Sequence, residues 1–128
     1  MNPSTEHQRL VKALVTYFAS NLKYAILAVD LPEYESKPTR HGRHSPDIVA
    51  RDQFGTFQLG EAKVGNDIFS QQSQEQIEDF SSRIMTETGK PVILHLVVFR
   101  ENEQTLINQI KNLGMGYKIG SRIKIWVL

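Results

Sequence analysis

Between Ser45 and Lys63 the chain reads SPDIVARDQFGTFQLGEAK, two short β-prone runs separated by Gln53-Phe54-Gly55. Three residues ending in glycine make a three-residue hairpin loop, with Gly55 in the left-handed conformation that a side chain disfavours. Such a loop sets the register of everything on either side of it. Asp52 then faces Thr56, Val49 faces Leu59, and Asp47 faces Glu61. Directly opposed residues project to one face, about 5 Å apart at Cβ, and Lys63, two places beyond Glu61, shares that face. Val49, Phe57 and Leu59 lie on it too and read as core. Two carboxylates and a lysine therefore end an inward, apolar face. A slip of one residue would send the acids to opposite sides.

Like charges directly opposed on a sheet are destabilising unless something neutralises them. A divalent cation would do so. Mg²⁺ suits one or two carboxylates, keeps several waters and accepts phosphate oxygens from a substrate. Bound there, it would lower the pKa of a water and stabilise charge at a phosphodiester, with Lys63 orienting the water or meeting the developing negative charge. The residues leave a plainer alternative open, in which Glu61 and Lys63 form a surface ion pair and Asp47 caps a turn.

The rest of the chain frames this hairpin. Leu10, Val11, Leu14, Val15 and Phe18 recur at helical spacing behind Ser4 and Thr5, predicting an amphipathic helix over residues 5–22. A strand is expected near residues 24–29. Residues 31–46, with three prolines and many charges, form a loop of the length that often carries function. The hairpin strands span residues 47–52 and 56–64. A helix is expected from Ile68 to about Thr86 with Ile77, Phe80 and Ile84 inward, ended by Gly89 and Pro91. Val92 to Phe99 (VILHLVVF) reads as a strand buried on both faces. A helix over residues 102–113, closed by Gly114, and a strand over 123–128 complete the order α-β-β-β-α-β-α-β. That order implies the α/β class, a central mixed sheet flanked by helices.

At 128 residues and 40% hydrophobic composition, one domain with a single core is expected over residues 1–128. The absence of cysteine excludes disulfides and thiolate metal sites and fits a cytoplasmic protein. No apolar run approaches the roughly 20 residues of a membrane span, so no membrane partner is expected. Fifteen Lys and Arg against 14 Asp and Glu leave a formal charge of +1, too little for a general nucleic-acid coat. Contact with a polyanion would rest on clusters such as Lys37–His44 and Lys118–Lys124, each of which also reads as an ordinary solvated segment.

Pro46-Asp47 followed by Glu61-Ala62-Lys63 at the end of the next strand resembles the PD-(D/E)xK nuclease superfamily, with its restriction-endonuclease-like core. The helix "TEHQRLVKAL" before it and the helix and apolar strand "QEQIEDFSSRIMTETGKPVILHLVVF" after it are most similar to the archaeal Holliday junction resolvase type, over roughly residues 5–100. The resemblance implies that Asp47, Glu61 and the carbonyl of Ala62 hold Mg²⁺, with Mn²⁺ as a substitute, and that Lys63 is the catalytic lysine. Glu6 matches the helix-borne acid of some branches. Its spacing to Leu10 and Leu14 puts it on the buried side, although a first-turn glutamate favoured by the helix dipole reads equally well. Gln76 followed by Phe80 is similar to the Gln-x-x-x-Tyr pattern of RecB-like nucleases, with the tyrosine hydroxyl lost, and otherwise reads as an exposed helical glutamine.

Other candidates are plainer. His95, within the apolar strand, reads as a core or sheet-end residue, while His7, beside Glu6, could approach the site but more often reads as exposed. Arg40 and Arg43, in the loop before Asp47, are placed to contact a nucleic-acid backbone. The expected function is a Mg²⁺-dependent DNA endonuclease acting on branched or double-stranded DNA, structure-specific or from a mobile element or defence system. A homodimer presenting two sites is expected, with room for a partner protein. The alternative is a catalytically inactive nuclease-fold module for binding or assembly.

Overall fold

The computed structural model describes residues 4–40 and 44–128. Its helices are α1 (Thr5–Ser20), α2 (Gln71–Ser81) and α3 (Glu103–Asn112). Its strands are β1 (Ala25–Val29), β2 (Ile48–Arg51), β3 (Phe57–Ala62), β4 (Ile93–Val98) and β5 (Ile123–Val127). The strands form one mixed sheet in the order β1-β2-β3-β4-β5, antiparallel from β1 to β3 and parallel from β3 to β5. Antiparallel neighbours need only short turns, whereas the two parallel joins need crossovers, which α2 and α3 supply. The class is α/β, as the sequence implied.

The hairpin has the register set by its loop. Val49 pairs with Leu59 and Ile48 with Gly60, and Asp52 N–H donates to Thr56 O at 3.0 Å. Gly55 sits at φ +80°, and the Asp52 carboxylate accepts from the amides of Phe54 and Thr56, closing the turn.

Alternation along the strands divides the interior in two. On one face Ile48, Ala50, Ala62 and Val97 pack against the α1 stripe of Leu10, Val11, Leu14, Val15 and Phe18. On the other, Val49, Leu59, Leu94, Leu96 and Val98 pack against Ile77 and Phe80 of α2 and Leu106 and Ile110 of α3. β4 is an internal strand covered on both faces, which accounts for its unbroken apolar run. Gly60 lets α1 approach: a Cβ there would lie 2.9 Å from Ile48 Cδ1 and 3.0 Å from Leu14 Cδ2.

His95 is in the core, at 1% exposure. Trp126 Nε1–H donates to His95 Nδ1 at 2.9 Å; since indole can only donate, His95 carries its proton on Nε2 and gives it to Gln58 Oε1 at 2.6 Å. Gln58 Nε2 in turn donates to Asp52 Oδ2 at 3.1 Å, so the chain of bonds ties β5 to the hairpin turn.

The second helix departs from expectation at both ends. Residues Gly65–Phe69 form a 3₁₀ turn, and α2 starts only after Ser70, whose Oγ accepts from Ser73 N–H at 3.0 Å. At the far end the chain leaves the helix at Ser82, and Ile84, expected inward, is 60% exposed and bridges to Pro91. No helix among the described residues is long and apolar enough to cross a membrane.

Candidate active site

Asp47 precedes β2, and Glu61 and Ala62 end β3 with Lys63 just beyond, so all reach the same end of the sheet. The N-termini of α1 and α2 arrive there as well, through their capping residues Ser4 and Ser70. Between them lies an open cleft of about 570 Å³, lined by Asp47, Glu61, Ala62 and Lys63, by Ser4 and His7 of the α1 end, by Asp30 and Ser45, and by Asp67, Ser70, Gln72 and Gln76. The loop before Asp47 is held to α2 by His44 Nε2 and Glu75 Oε1, 3.1 Å apart.

The ladder between β2 and β3 gives way to side chains at this end. Asp47 N–H donates to Gly60 O at 3.0 Å, but the Ala62 amide, further along β3, donates to Asp47 Oδ2 at 2.9 Å. His7 Nε2 lies 3.1 Å from the same oxygen. Glu61 Oε2 lies 3.3 Å from Lys63 Nζ, and Lys63 Nζ donates to Gln76 Oε1. Asp47, Glu61, Lys63 and Gln76 are all under 10% exposed, so these are desolvated contacts and not a surface ion pair.

Burial dominates the electrostatics. It pushes the Glu61 carboxyl up to about 8, and the neighbouring Asp47 charge pushes in the same direction, with Lys63 only partly opposing them. The His7 imidazole is held above its ordinary value chiefly by its hydrogen bond to Asp47, against the effect of burial. Without a cation, two acids share one buried end with one lysine, and Glu61 responds by favouring its proton.

That donor set fits a hard divalent cation. Two carboxylates and one backbone carbonyl, with a cleft that has room for waters, meet the preference of Mg²⁺ for few protein ligands and a retained hydration shell. It does not resemble a closed cage, since no group of three or more His, Asp or Glu side chains gathers tightly enough to hold a metal among the described residues. The ligands would be Asp47, Glu61 and the Ala62 carbonyl.

Glu6 is not brought in. It is exposed and does not line the cleft; His7 does. The reason is phase. At about 100° per residue, the centre of the buried α1 stripe falls within about 15° of His7 and about 110° from Glu6. The spacing of Glu6 to Leu10 and Leu14 places it beside one edge of the stripe only. Gln76, read as exposed, is buried with its amide oxygen on Lys63. Arg40 is exposed and away from the cleft lining, and Arg43 lies outside the described residues. His7, read as more often exposed, lines the cleft, and the residues that sequence reasoning missed are Asp30 and Asp67, contributed by a strand end and a 3₁₀ turn. No protein-family model, no curated protein and no solved structure matches this chain.

Proposed function

We propose that this chain is a Mg²⁺-dependent endodeoxyribonuclease of the PD-(D/E)xK kind, built on a restriction-endonuclease-like core and hydrolysing phosphodiester bonds in branched or double-stranded DNA. The observation that carries the reading is the convergence of Asp47, Glu61 and Lys63, all buried, on one polar cleft. Two buried carboxylates at one end of the sheet cost the fold stability, and a bound cation would offset that cost.

Mg²⁺, when bound, lowers the pKa of a water and offsets charge on a phosphoryl oxygen. Asp47 and Glu61 would hold the cation with the Ala62 carbonyl. His7 and the Ala62 amide both engage Asp47 Oδ2, which holds the carboxylate in place and would leave Oδ1 for a cation. Gln76 and Glu61 hold the Lys63 ammonium at the cleft wall, where it can orient the attacking water or meet the charge developing on the phosphate. The N-termini of α1 and α2, capped by Ser4 and Ser70, meet at the cleft, where their dipoles would favour a phosphate. A homodimer would present two such clefts to the two strands of one DNA.

The test is incubation of purified protein with plasmid and with branched DNA in Mg²⁺, Mn²⁺ or EDTA, beside a Lys63→Ala variant. Cleavage that needs the cation and is lost in Lys63→Ala is expected. Metal-dependent cleavage that survives Lys63→Ala would sink the assignment, and no cleavage of any nucleic acid together with no metal binding would favour an inactive binding module.

A further inference from the structure

We propose that Phe69 is a stacking platform for an unpaired base, so that the cleft takes DNA with an unstacked nucleotide next to the scissile phosphate; this rests on the nuclease reading above. Phe69 is 57% exposed, although it closes a well-held turn. Its predecessor Ile68 is fully buried and anchors that turn in the core, while Ser70 N–H and Oγ both reach Asp67 O at 3.1 and 3.0 Å. Asp67 and Ser70, the residues around the Ile68-Phe69 pair, both line the cleft. Phe69 therefore lies between two residues that line the cleft, on a fixed backbone and open to solvent. Phe54, the other exposed phenylalanine among the described residues, sits at the hairpin turn at the far end of β2 and β3.

Charge argues for a contact of this type. Asp30, Asp47, Glu61 and Asp67 line the cleft against a single lysine, Lys63, and the whole chain is only +1. Attraction of the phosphate backbone, which supplies most of the affinity of basic DNA-binding proteins, is weak here. Stacking on an aromatic ring does not depend on charge, and it tolerates any sequence because every base has a π-face. A phenyl ring has no donor or acceptor with which to read a base edge. In a continuous duplex the base faces are covered by their neighbours; only an unpaired nucleotide offers one. Phe69 thus selects structure rather than sequence.

The test compares wild type, Phe69→Ala and Phe69→Trp on two labelled duplexes identical except for one unpaired nucleotide in the middle of one strand. Binding is read by fluorescence anisotropy in EDTA, and cleavage by kcat/KM in Mg²⁺. Wild type is expected to favour the interrupted duplex about tenfold in both readouts, Phe69→Ala to lose that ratio and Phe69→Trp to keep it. An equal preference in wild type and Phe69→Ala, or no preference in wild type, overturns the role of Phe69 while leaving metal-dependent cleavage intact. Failure to cleave either duplex in Mg²⁺ removes the nuclease reading, and this inference with it.

Discussion

Replacing Glu61 by glutamine should make the metal-free protein more stable, although it removes a residue of the proposed centre. Glu61 is 4% exposed and its carboxyl is raised from an ordinary value near 4.5 to about 8, first by burial and then by Asp47. A folded pKa above the unfolded one means that the native state binds the proton more tightly. Stability is then full below about pH 4.5 and falls as pH rises toward 8, by about 1.4 kcal/mol per pH unit. At pH 7 the accumulated cost is about 3 kcal/mol, and it levels off above pH 8. Glutamine has nearly the shape of the protonated acid and no proton to lose, so Glu61→Gln escapes the slope. Urea unfolding at pH 4.5, 6, 7 and 8 should show the two proteins converging at the acid end and separating by roughly 1–3 M in midpoint at pH 7. Mg²⁺ should then raise the midpoint of the wild type and leave that of Glu61→Gln nearly unmoved. A glutamine variant less stable than wild type at pH 7, or two curves that run parallel from pH 4.5 to 8, would refute the reasoning.

His95 behaves with the opposite sign. Burial, with Lys124 nearby, lowers its pKa to about 3, so stability present above about pH 6.5 is lost as pH falls toward 3; the corresponding slope in urea unfolding should flatten in His95→Gln. Gly60→Ala places a methyl 2.9 Å from Ile48 Cδ1 and should cost about 1–3 kcal/mol by the same assay, while an unchanged midpoint would show that α1 can retreat from the sheet. His7→Ala frees Asp47 Oδ2 of one partner and should weaken Mg²⁺ binding about tenfold by isothermal titration calorimetry. Unaltered affinity would take His7 out of the site.

The parts of the fold that were legible were those fixed by neighbours in sequence. Gly55 lies within eight residues of both Asp47 and Glu61, and one loop conformation was enough to align Val49 with Leu59. The same applies to β4, whose two-sided burial is written in a continuous apolar run. The ends of α2 were less legible because competing local bonds decide them. Ile68 continues the apolar pattern, yet Ser70 caps from inside the expected helix and leaves Ile68 in a 3₁₀ turn. Ile84 has the right phase for the core, but the Met85 amide bonds to Lys90 O and draws the chain into a bridge with Pro91.

The candidate site divides along the same line. Asp47, Glu61 and Lys63 sit on one hairpin and could be placed together from its register; His7 and Gln76 come from helices that pack on opposite faces of the sheet. Each carried a signal that pairwise spacing hid. For His7 it was the centre of the whole five-residue stripe, which Glu6 misses by more than a quarter turn. For Gln76 the signal was energetic. Once register turns Lys63 inward, its ammonium must find acceptors, since an unpaired buried cation costs several kcal/mol. Glu61 alone is a poor answer, because burial and Asp47 already push it toward its protonated form. A neutral acceptor is needed from the helix covering that face. On α2 the buried residues are Ser73, Gln76, Ile77, Phe80 and Ser81, and Gln76 is the one whose side chain is long enough to bring a carbonyl oxygen to Lys63. An inward lysine at the end of β3 therefore dictates the chemistry of its partner, and the glutamine that reads as surface is the acceptor its ammonium requires.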